Sequence, residues 1–432
     1  MNIEALYILY TKNRTVSTDT RNITPGSLFF SLKGDNFNGN EYAAKALEAG
    51  ASYAIIDDGL YYKNNRYILV QDTLKTLQEL ATYHRAQLTI PIIGITGTNG
   101  KTTTKELLNA VLSQHYKTYC TIGNLNNHIG VPLTLLSIKP DVEIAIVEMG
   151  ANHKKEIKGL CAIAQPTHGI ITNVGKAHLD GFGGFEGVKE AKGELYDFIK
   201  SNKGVIFVDG NNSLLKEMYL CRGIDQAVRY GQNEDNEVSG FILSNDPLLT
   251  IEWVSAKERR QLKTNLTGSY NLENILAAVA IGLYFSVSAD EIDLGISSYT
   301  PGNNRSQIIK TAINTLICDY YNANPSSMRV AIDNLNLVHA SKKVLILGDM
   351  FELGANSLEE HQQVVNHALS IPVDRRIFIG KEFDALKTDI QAEFYTDIDS
   401  AMSGLSDNPI KEAMILIKGS RGMKMEKLVP LL

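Results

Sequence analysis

Cysteine is sparse in this 432-residue chain, and the four present, Cys120, Cys161, Cys221 and Cys318, lie too far apart to form a paired ligand spacing. A disulfide scaffold and a cysteine zinc site are therefore not expected; a reducing compartment is. Neither sign of charge is in large excess, since 42 lysines and arginines stand against 48 aspartates and glutamates, a net charge of −6. Without a basic face, DNA or RNA is not an expected partner, and an anionic ligand would need local cations. No apolar run approaches membrane-spanning length, and the opening Met-Asn-Ile-Glu-Ala-Leu-Tyr lacks a basic segment followed by an apolar core. No membrane partner is expected, and the expected location is the cytoplasm. Repeats and low-complexity tracts are also missing. What remains, 44% hydrophobic and 21% charged, is an ordinary globular composition, long enough for roughly two to four domains.

The most informative stretch is Gly94-Ile-Thr-Gly-Thr-Asn-Gly-Lys-Thr-Thr-Thr104. It lies between an apolar run at 90–95, which reads as a buried strand, and a segment at 106–112 with helical apolar spacing. A phosphate loop belongs at such a junction: Gly97 and Gly100 let backbone N–H groups turn toward an anion, Lys101 adds a point charge and the helix N-terminus adds its dipole. Thr102 can offer a hydroxyl to Mg²⁺. Ile95 stands where the strict eight-residue pattern has its first glycine, so the short form Gly97-Thr98-Asn99-Gly100-Lys101-Thr102 carries the signal. An ordinary glycine-rich turn would not need Lys-Thr-Thr at the start of its helix.

The chain divides into three α/β units. Residues 1–84 hold short apolar strands near 27–32 and 54–56, a helix at 42–49, and polar loops at 17–21 and 33–40; a helix at 73–87 leads onward. Residues 85–303 alternate strands and helices, which points to a mostly parallel sheet. Strands are expected at 143–149 and 169–174, helices at 183–200 and 271–285, and weaker strands within 237–263. Pro301-Gly-Asn-Asn-Arg305 has the turn chemistry of a linker. In the third unit, 304–432, strands are expected at 315–319, 343–347, 376–380 and 413–418.

In open α/β sheets ligands sit at the carboxyl ends of strands, which places Glu148 and the 173–178 turn with His178 beside the phosphate loop. A strand-end carboxylate suits Mg²⁺ bridging to phosphate; a lone turn histidine is more often a capping or packing residue. The third unit crowds polar groups at strand ends too: Asp319-Tyr-Tyr-Asn-Ala-Asn-Pro-Ser-Ser327, Leu347-Gly-Asp-Met and Lys418-Gly-Ser-Arg421. Either a ligand edge or plainly capped helices would look like this. Arg421 is the natural group there to grip a carboxylate with two parallel bonds.

Taken together these motifs resemble the Mur ligase family, ATP-dependent amide-bond formers of peptidoglycan precursor synthesis. The resemblance rests on Gly97 to Thr102, on Glu148-Met-Gly-Ala-Asn152, on Ala177-His-Leu, and on Gly123-Asn-Leu-Asn-Asn127 with Ile129-Gly-Val-Pro132. Tyr321-Asn-Ala-Asn-Pro325, Glu352-Leu-Gly354 and Lys418-Gly-Ser-Arg421 extend it through all three units. Within the family the words are most similar to the branch that adds D-alanyl-D-alanine to a UDP-N-acetylmuramoyl-tripeptide. The Asp-Asn-Pro-Arg of the branch that adds a diamino acid is missing. His128 and Lys176 stand where acids are frequent, and Asn38 and Asn40 replace the usual Asp and His.

The resemblance implies a small UDP-binding domain, a central P-loop ATPase domain and a Rossmann-like C-terminal domain, working as a monomer with ATP and Mg²⁺. It implies ATP contacts at Gly97, Thr98, Asn99, Gly100, Lys101, Thr102, Thr103, Asn271 and Arg305, metal ligation by Thr102, Glu148, His178 and Lys192, and catalytic roles for Lys101, Glu148, His178 and Lys192. Lys192 matches a lysine that several relatives carry as a carbamate; by composition alone it is a solvated lysine between Glu190 and Glu194. Substrate contacts are implied at Ser17, Thr18, Asp19, Arg21 and Lys33 for the UDP-sugar, at Asn126 and Asn127, and at Asn322, Asn324 and Arg421 for the dipeptide. Two readings stay open beside this one: a folylpolyglutamate synthase-like ligase, and a catalytically silent nucleotide-binding scaffold.

Overall fold

The computed structural model describes residues 1–387 and 391–432. Three larger sheets with separate strand sets organise the chain, in keeping with the three-unit α/β reading, and a fourth, two-stranded sheet pairs Lys33–Gly34 with Phe37–Asn38. The first is a four-stranded parallel sheet in the order Val16–Ser17, Leu28–Phe30, Tyr53–Ile56, Tyr67–Leu69. Phe30, Ala54, Ile55 and Ile56 are fully buried in it, the near-continuous apolar run of a strand covered on both faces. Helix Thr73–Gln87 then carries the chain to the middle domain. It begins where the Asp72 carboxylate accepts the Lys75 N–H at 2.8 Å, filling an N-cap. Its buried Arg85 donates to the carbonyl oxygens of Ala164 and Gln165, and the Tyr10 hydroxyl donates to that of Leu136 at 2.6 Å, so these bonds tie the first domain to the second.

The middle sheet has nine strands, six of whose eight pairings are parallel. At its heart lie Ile92–Thr96, flanked by Ile144–Glu148 and His168–Ile171. Three further strands that the sequence reading did not identify, Thr118–Cys120, Val205–Asp209 and Ala227–Gly231, widen it. Thr118–Cys120 is a half-buried three-residue edge, too short to show an alternation. The weak 237–263 region forms two antiparallel pairings, Val238–Asn245 with Leu249–Ser255 and the latter with Arg259–Lys263. The lone Trp253 is fully buried there and donates from Nε1 to Asp293 at 2.8 Å.

Helix Leu272–Tyr284 is apolar nearly all round, the signature of a helix wrapped by protein. It packs on the phosphate helix Lys101–Leu112 so closely that a Cβ added at Gly282 would come within 2.7 Å of Val111. Truncating fully buried Leu276 to alanine there would cost about 2–5 kcal/mol. The third sheet has six strands, five of them parallel, in the order Gln307–Lys310, Thr315–Asp319, Met414–Lys418, Lys343–Gly348, Arg375–Ile379, Glu393–Tyr395. Among the described residues, no helix is long and apolar enough to cross a membrane.

Candidate active site

The phosphate loop leaves Ile92–Thr96 and enters Lys101–Leu112 through two left-handed glycines, Gly97 at φ 147° and Gly100 at φ 78°. Neither position has room for a side chain: a Cβ at Gly97 would lie 2.0 Å from Thr172 Oγ1 and one at Gly100 would lie 2.7 Å from Asn274 Oδ1. The strand end after His168–Ile171 staples the loop in place. Thr98 N donates to the Asn173 carbonyl, Asn99 N to Asn173 Oδ1 at 2.9 Å, and Thr172 Oγ1 to the Asn99 carbonyl at 2.6 Å. The cradle is thus preformed by residues more than seventy positions away. Lys101 Nζ donates to the carbonyls of Gly97 and Thr98 at 2.8 and 3.0 Å, which puts the ammonium at the loop. Burial pushes it down to about 8, against the opposing pull of Glu148.

Thr102 is buried beneath the loop and donates from Oγ1 to Glu148 Oε2 at 2.9 Å, while Asn126 Nδ2 donates to Oε1 at 2.9 Å. Both carboxylate oxygens are thereby oriented. A residue without an assigned role in the sequence reading, Lys105, completes this group. Its buried Nζ donates to the Thr121 carbonyl at 2.7 Å and lies 3.9 Å from Glu148 Oε2. Its position one helical turn after Lys101 is the signal by which it could have been found.

A cavity of about 1060 Å³ opens over the loop. Gly97, Thr98, Asn99, Gly100, Lys101, Thr103, Asn126, Asn127, Glu148, His178, Lys192, Asn271, Arg305, Asn322 and Asn324 all line it. Asn271 and Asn274 form a buried chain with Thr104, through bonds of 2.9 and 3.0 Å. The Arg305 guanidinium lies over the Tyr321 ring at 3.9 Å, and its buried Nε has no protein partner. Such an unpaired cation beside a glycine cradle suits a polyphosphate and its nucleoside. Lys192 is buried, stands over the Phe182 ring at 5.4 Å, and its amine is pushed down to about 7, first by burial and then by Lys101. His178 adopts φ 51°, and its Nδ1 pairs with Glu352 of the third domain. Burial lowers its pKa, partly offset by Glu352.

For Mg²⁺, the oxygen donors Thr102 and Glu148 fit, because this ion takes one or two protein ligands together with phosphate oxygens. Among the described residues no three His, Cys, Asp or Glu side chains converge as a metal cage. His178 and Lys192 share the cavity with Glu148, but His178 pairs with Glu352 and Lys192 stands over the Phe182 ring.

The third domain forms the opposite wall. Asn324 caps helix Pro325–Leu337, whose Pro325 takes the first helical position. Its Nδ2 donates to Asn99 Oδ1 at 2.8 Å, Asn99 Nδ2 donates to Ser326 Oγ at 3.1 Å, and Ser326 Oγ donates to Asn324 Oδ1 at 2.8 Å. The phosphate loop and the third domain therefore share a closed ring of three bonds. Lys418, buried at its strand end, donates to Asp319 Oδ2 at 2.6 Å and lines the same cavity.

Several expected site residues lie elsewhere. Arg421 does not line this cavity. It sits in a single 3₁₀ turn, Arg421–Met423, with Nη1 3.5 Å from Glu426 and its side chain 58% exposed. The strand before it points Lys418 inward instead. Neighbouring Gly422 and Met423 line a second cavity of about 560 Å³ with Glu352, Ser357 and Glu382. Ser17, Thr18, Asp19, Arg21 and Lys33 line neither cavity; the first four lie at and after the edge strand of the first sheet, and Lys33 lies in a separate two-stranded pairing with Asn38.

Residues 95–282 match the Mur ligase middle domain, 304–421 the Mur ligase glutamate ligase domain, and 13–85 the Mur ligase family catalytic domain. The chain is 37% identical over 427 residues to the UDP-N-acetylmuramoyl-tripeptide–D-alanyl-D-alanine ligase of Bacillus subtilis, with 96% of this chain and 92% of that protein covered. The chain belongs to the Mur ligase family. The Escherichia coli ligase of the same name is 34% identical, again with 96% and 92% coverage. A crystal structure of MurF from Acinetobacter baumannii superposes with a TM-score of 0.87 at 30% identity, covering 96% of this chain and 92% of that one. Mur ligases are ATP-dependent amide ligases.

Proposed function

We propose that this Mur ligase joins D-alanyl-D-alanine to UDP-N-acetylmuramoyl-tripeptide in the cytoplasm, as a monomer using ATP and Mg²⁺. The reading is carried by the near-full-length likeness to ligases with that name, together with a phosphate loop whose far wall belongs to a second domain. Residues 1–84 are proposed to hold the UDP-sugar through Ser17, Thr18, Asp19, Arg21 and Lys33, 85–303 to hold ATP, and 304–432 to hold the dipeptide through Asn322, Asn324 and Arg421. Arg421 flanks the second cavity, where its fork would grip the dipeptide carboxylate. The folylpolyglutamate synthase-like and silent-scaffold readings have no such specific support.

In the first step a carboxylate oxygen of the tripeptide bonds to the γ-phosphorus of ATP and the β,γ-bridging P–O bond breaks, giving an acyl phosphate and ADP. In the second, the dipeptide amine bonds to the acyl carbon, the C–O bond to phosphate breaks, and the amine loses its proton. Phosphoryl transfer needs positioning and charge neutralisation more than covalent help. Lys101 and Arg305 supply fixed cations, and Thr98, Asn99 and Gly100, held in place through Asn173, line the cavity where the phosphates would lie. Asn271 would hold the nucleoside side, and Asn126 keeps Glu148 in orientation. Mg²⁺, held by Thr102 and Glu148, would neutralise phosphate charge. The Lys192 amine, at about 7, is substantially neutral at pH 8, the form that adds CO₂ and loses a proton to become a carbamate. That anion, with His178, would suit a second Mg²⁺ where an ammonium would repel it.

Phosphate release from ATP with UDP-tripeptide, with and without D-Ala-D-Ala, tests the reaction. Multiple turnovers are expected only with both substrates; equal release without the dipeptide would sink the ligase assignment. For Lys192, loss of activity in Lys192→Ala with partial recovery in acetate is expected. An unmodified lysine mass in active enzyme at ordinary bicarbonate would exclude the carbamate.

A further inference from the structure

A strap at 299–306 leads from helix Ala289–Ser298 of the middle domain to strand Gln307–Lys310 at the edge of the third sheet. Near its end it carries Arg305 into the large cavity. Among the described residues nothing bonds the buried Nε of Arg305, and its guanidinium rests on the Tyr321 ring. Where this cation sits therefore depends on the backbone that bears it. Asn304 and Ser306, on either side, both hold left-handed backbone, φ 58° and 53°. Such conformations in residues other than glycine are costly and persist where the surroundings over-determine them.

Both domains supply that constraint. From the third, Tyr321 N donates to the Asn304 carbonyl at 3.3 Å and Asp319 Oδ1 accepts from Ser306 N at 3.1 Å. From the middle domain the anchor is Glu106. Its Oε2 accepts from the Tyr299 hydroxyl at 2.6 Å, and Asn303 Nδ2 donates to its two oxygens at 2.9 and 3.0 Å. One carboxylate thus grips the strap on both sides of Pro301 and Gly302, through charge-assisted bonds that are stronger than neutral ones. Glu106 and Lys101 belong to the same helix, Lys101–Leu112. The helix that presents the loop's ammonium also holds the strap that presents the second cation.

We propose that Glu106 is a positioning residue for Arg305. By gripping Tyr299 and Asn303 it sets where the strap crosses the phosphate helix, and so holds the guanidinium at a set separation from the Lys101 ammonium across the cavity. Two cations fixed in this way match an anion with charge at two points, a nucleoside di- or triphosphate, before it binds. The inference rests on the reading of Arg305 as a nucleotide contact.

The test is a double-mutant cycle on the full chain, read by calorimetry of ADP binding in the presence of Mg²⁺. Arg305→Ala is expected to weaken ADP at least about tenfold, the scale of a lost bond to a charged group. Glu106→Ala should weaken it about fivefold in the wild-type background and less than about twofold on top of Arg305→Ala, because a residue acting through Arg305 has nothing to position once that side chain is gone. Asn303→Ala breaks the same tie from the strap side and should behave alike; it carries the cycle if Glu106→Ala does not fold. Equal losses in the two backgrounds would mean a merely structural tie and overturn the proposal, as would wild-type affinity in the folded single variants of Glu106 and Asn303. If Arg305→Ala itself binds ADP as wild type does, the nucleotide reading of Arg305 falls and the inference with it. A clear Arg305 loss to which the Glu106 loss simply adds overturns the inference alone.

Discussion

The phosphate-loop end of the middle domain and the polar loops of the first domain are both proposed to hold anions, yet they are built in opposite ways. Around Glu148 the partners come from far along the chain: Thr102 is 46 residues away, and Asn99 is stapled by Thr172 and Asn173. The carboxylate itself is 1% exposed. In the first domain, Arg21 grips Asp19 two residues away with its side chain 83% exposed, and Lys33 pairs with Asp57 while half exposed. Arg21 holds the Asp19 carboxyl down at about 2. A buried, hydrogen-bonded site is rigid before its ligand arrives, whereas exposed ion pairs must exchange a partner to bind. Chemistry that depends on placement belongs to the first kind, and plain recognition tolerates the second.

The sharpest way to break this contrast is at Lys101. Lys101→Ala is expected to lower kcat/KM about a thousandfold, the scale of a lost charge-stabilising donor, as read by steady-state phosphate release. A loss below tenfold would remove the loop from its role. Next comes Lys105→Met, which leaves Glu148 without its nearby cation in a buried place; a loss of about 3 kcal/mol of folding stability is expected in denaturant titration. An unchanged midpoint would mean that the neutral donors Thr102 and Asn126 suffice.

At the first domain the effects should be smaller and confined to binding. Arg21→Ala should raise the KM for the UDP-tripeptide a few-fold with kcat unchanged, the pattern of lost uniform binding. A fall in kcat instead would show that this loop reaches the chemistry. The seam between the two domains supplies the smallest effect, in the pH profile of stability. His84, beside Tyr7 and Tyr10, is held by burial at about 4, below its ordinary value of 6.5. Its folded value is depressed, so the unfolded chain takes the proton first. Its contribution is full above pH 6.5 and is lost as pH falls toward 4. Thermal melts of His84→Phe between pH 7 and 4 should show a shallower decline than wild type; parallel curves would assign the acid loss to other groups.

Much of the molecule was legible in order of residues. The helix at 73–87 and the strand at 315–319 lie where their spacing places them, because capping residues and apolar runs act locally. Glu148 and His178 could be put near the phosphate loop, since the carboxyl ends of parallel strands share one edge. The strand Thr118–Cys120 was not legible, being too short and too exposed for a pattern. Nor was the pairing of Lys105 with Glu148, which depends on how one helix turns over one strand.

By itself, then, the sequence determined three α/β units, the glycine–lysine loop between strand and helix, and membership of a ligase family, because these depend on periodicity, turn chemistry and residue types in fixed order. Only the tertiary structure decided that Lys418 rather than Arg421 faces the large cavity, that Asn99 bonds across to Asn324 and Ser326, and that Glu352 meets His178. Those facts concern how one domain is docked on another. Contacts between units hundreds of residues apart leave no period or motif in the chain, since each partner is satisfied by geometry rather than by its neighbours in sequence.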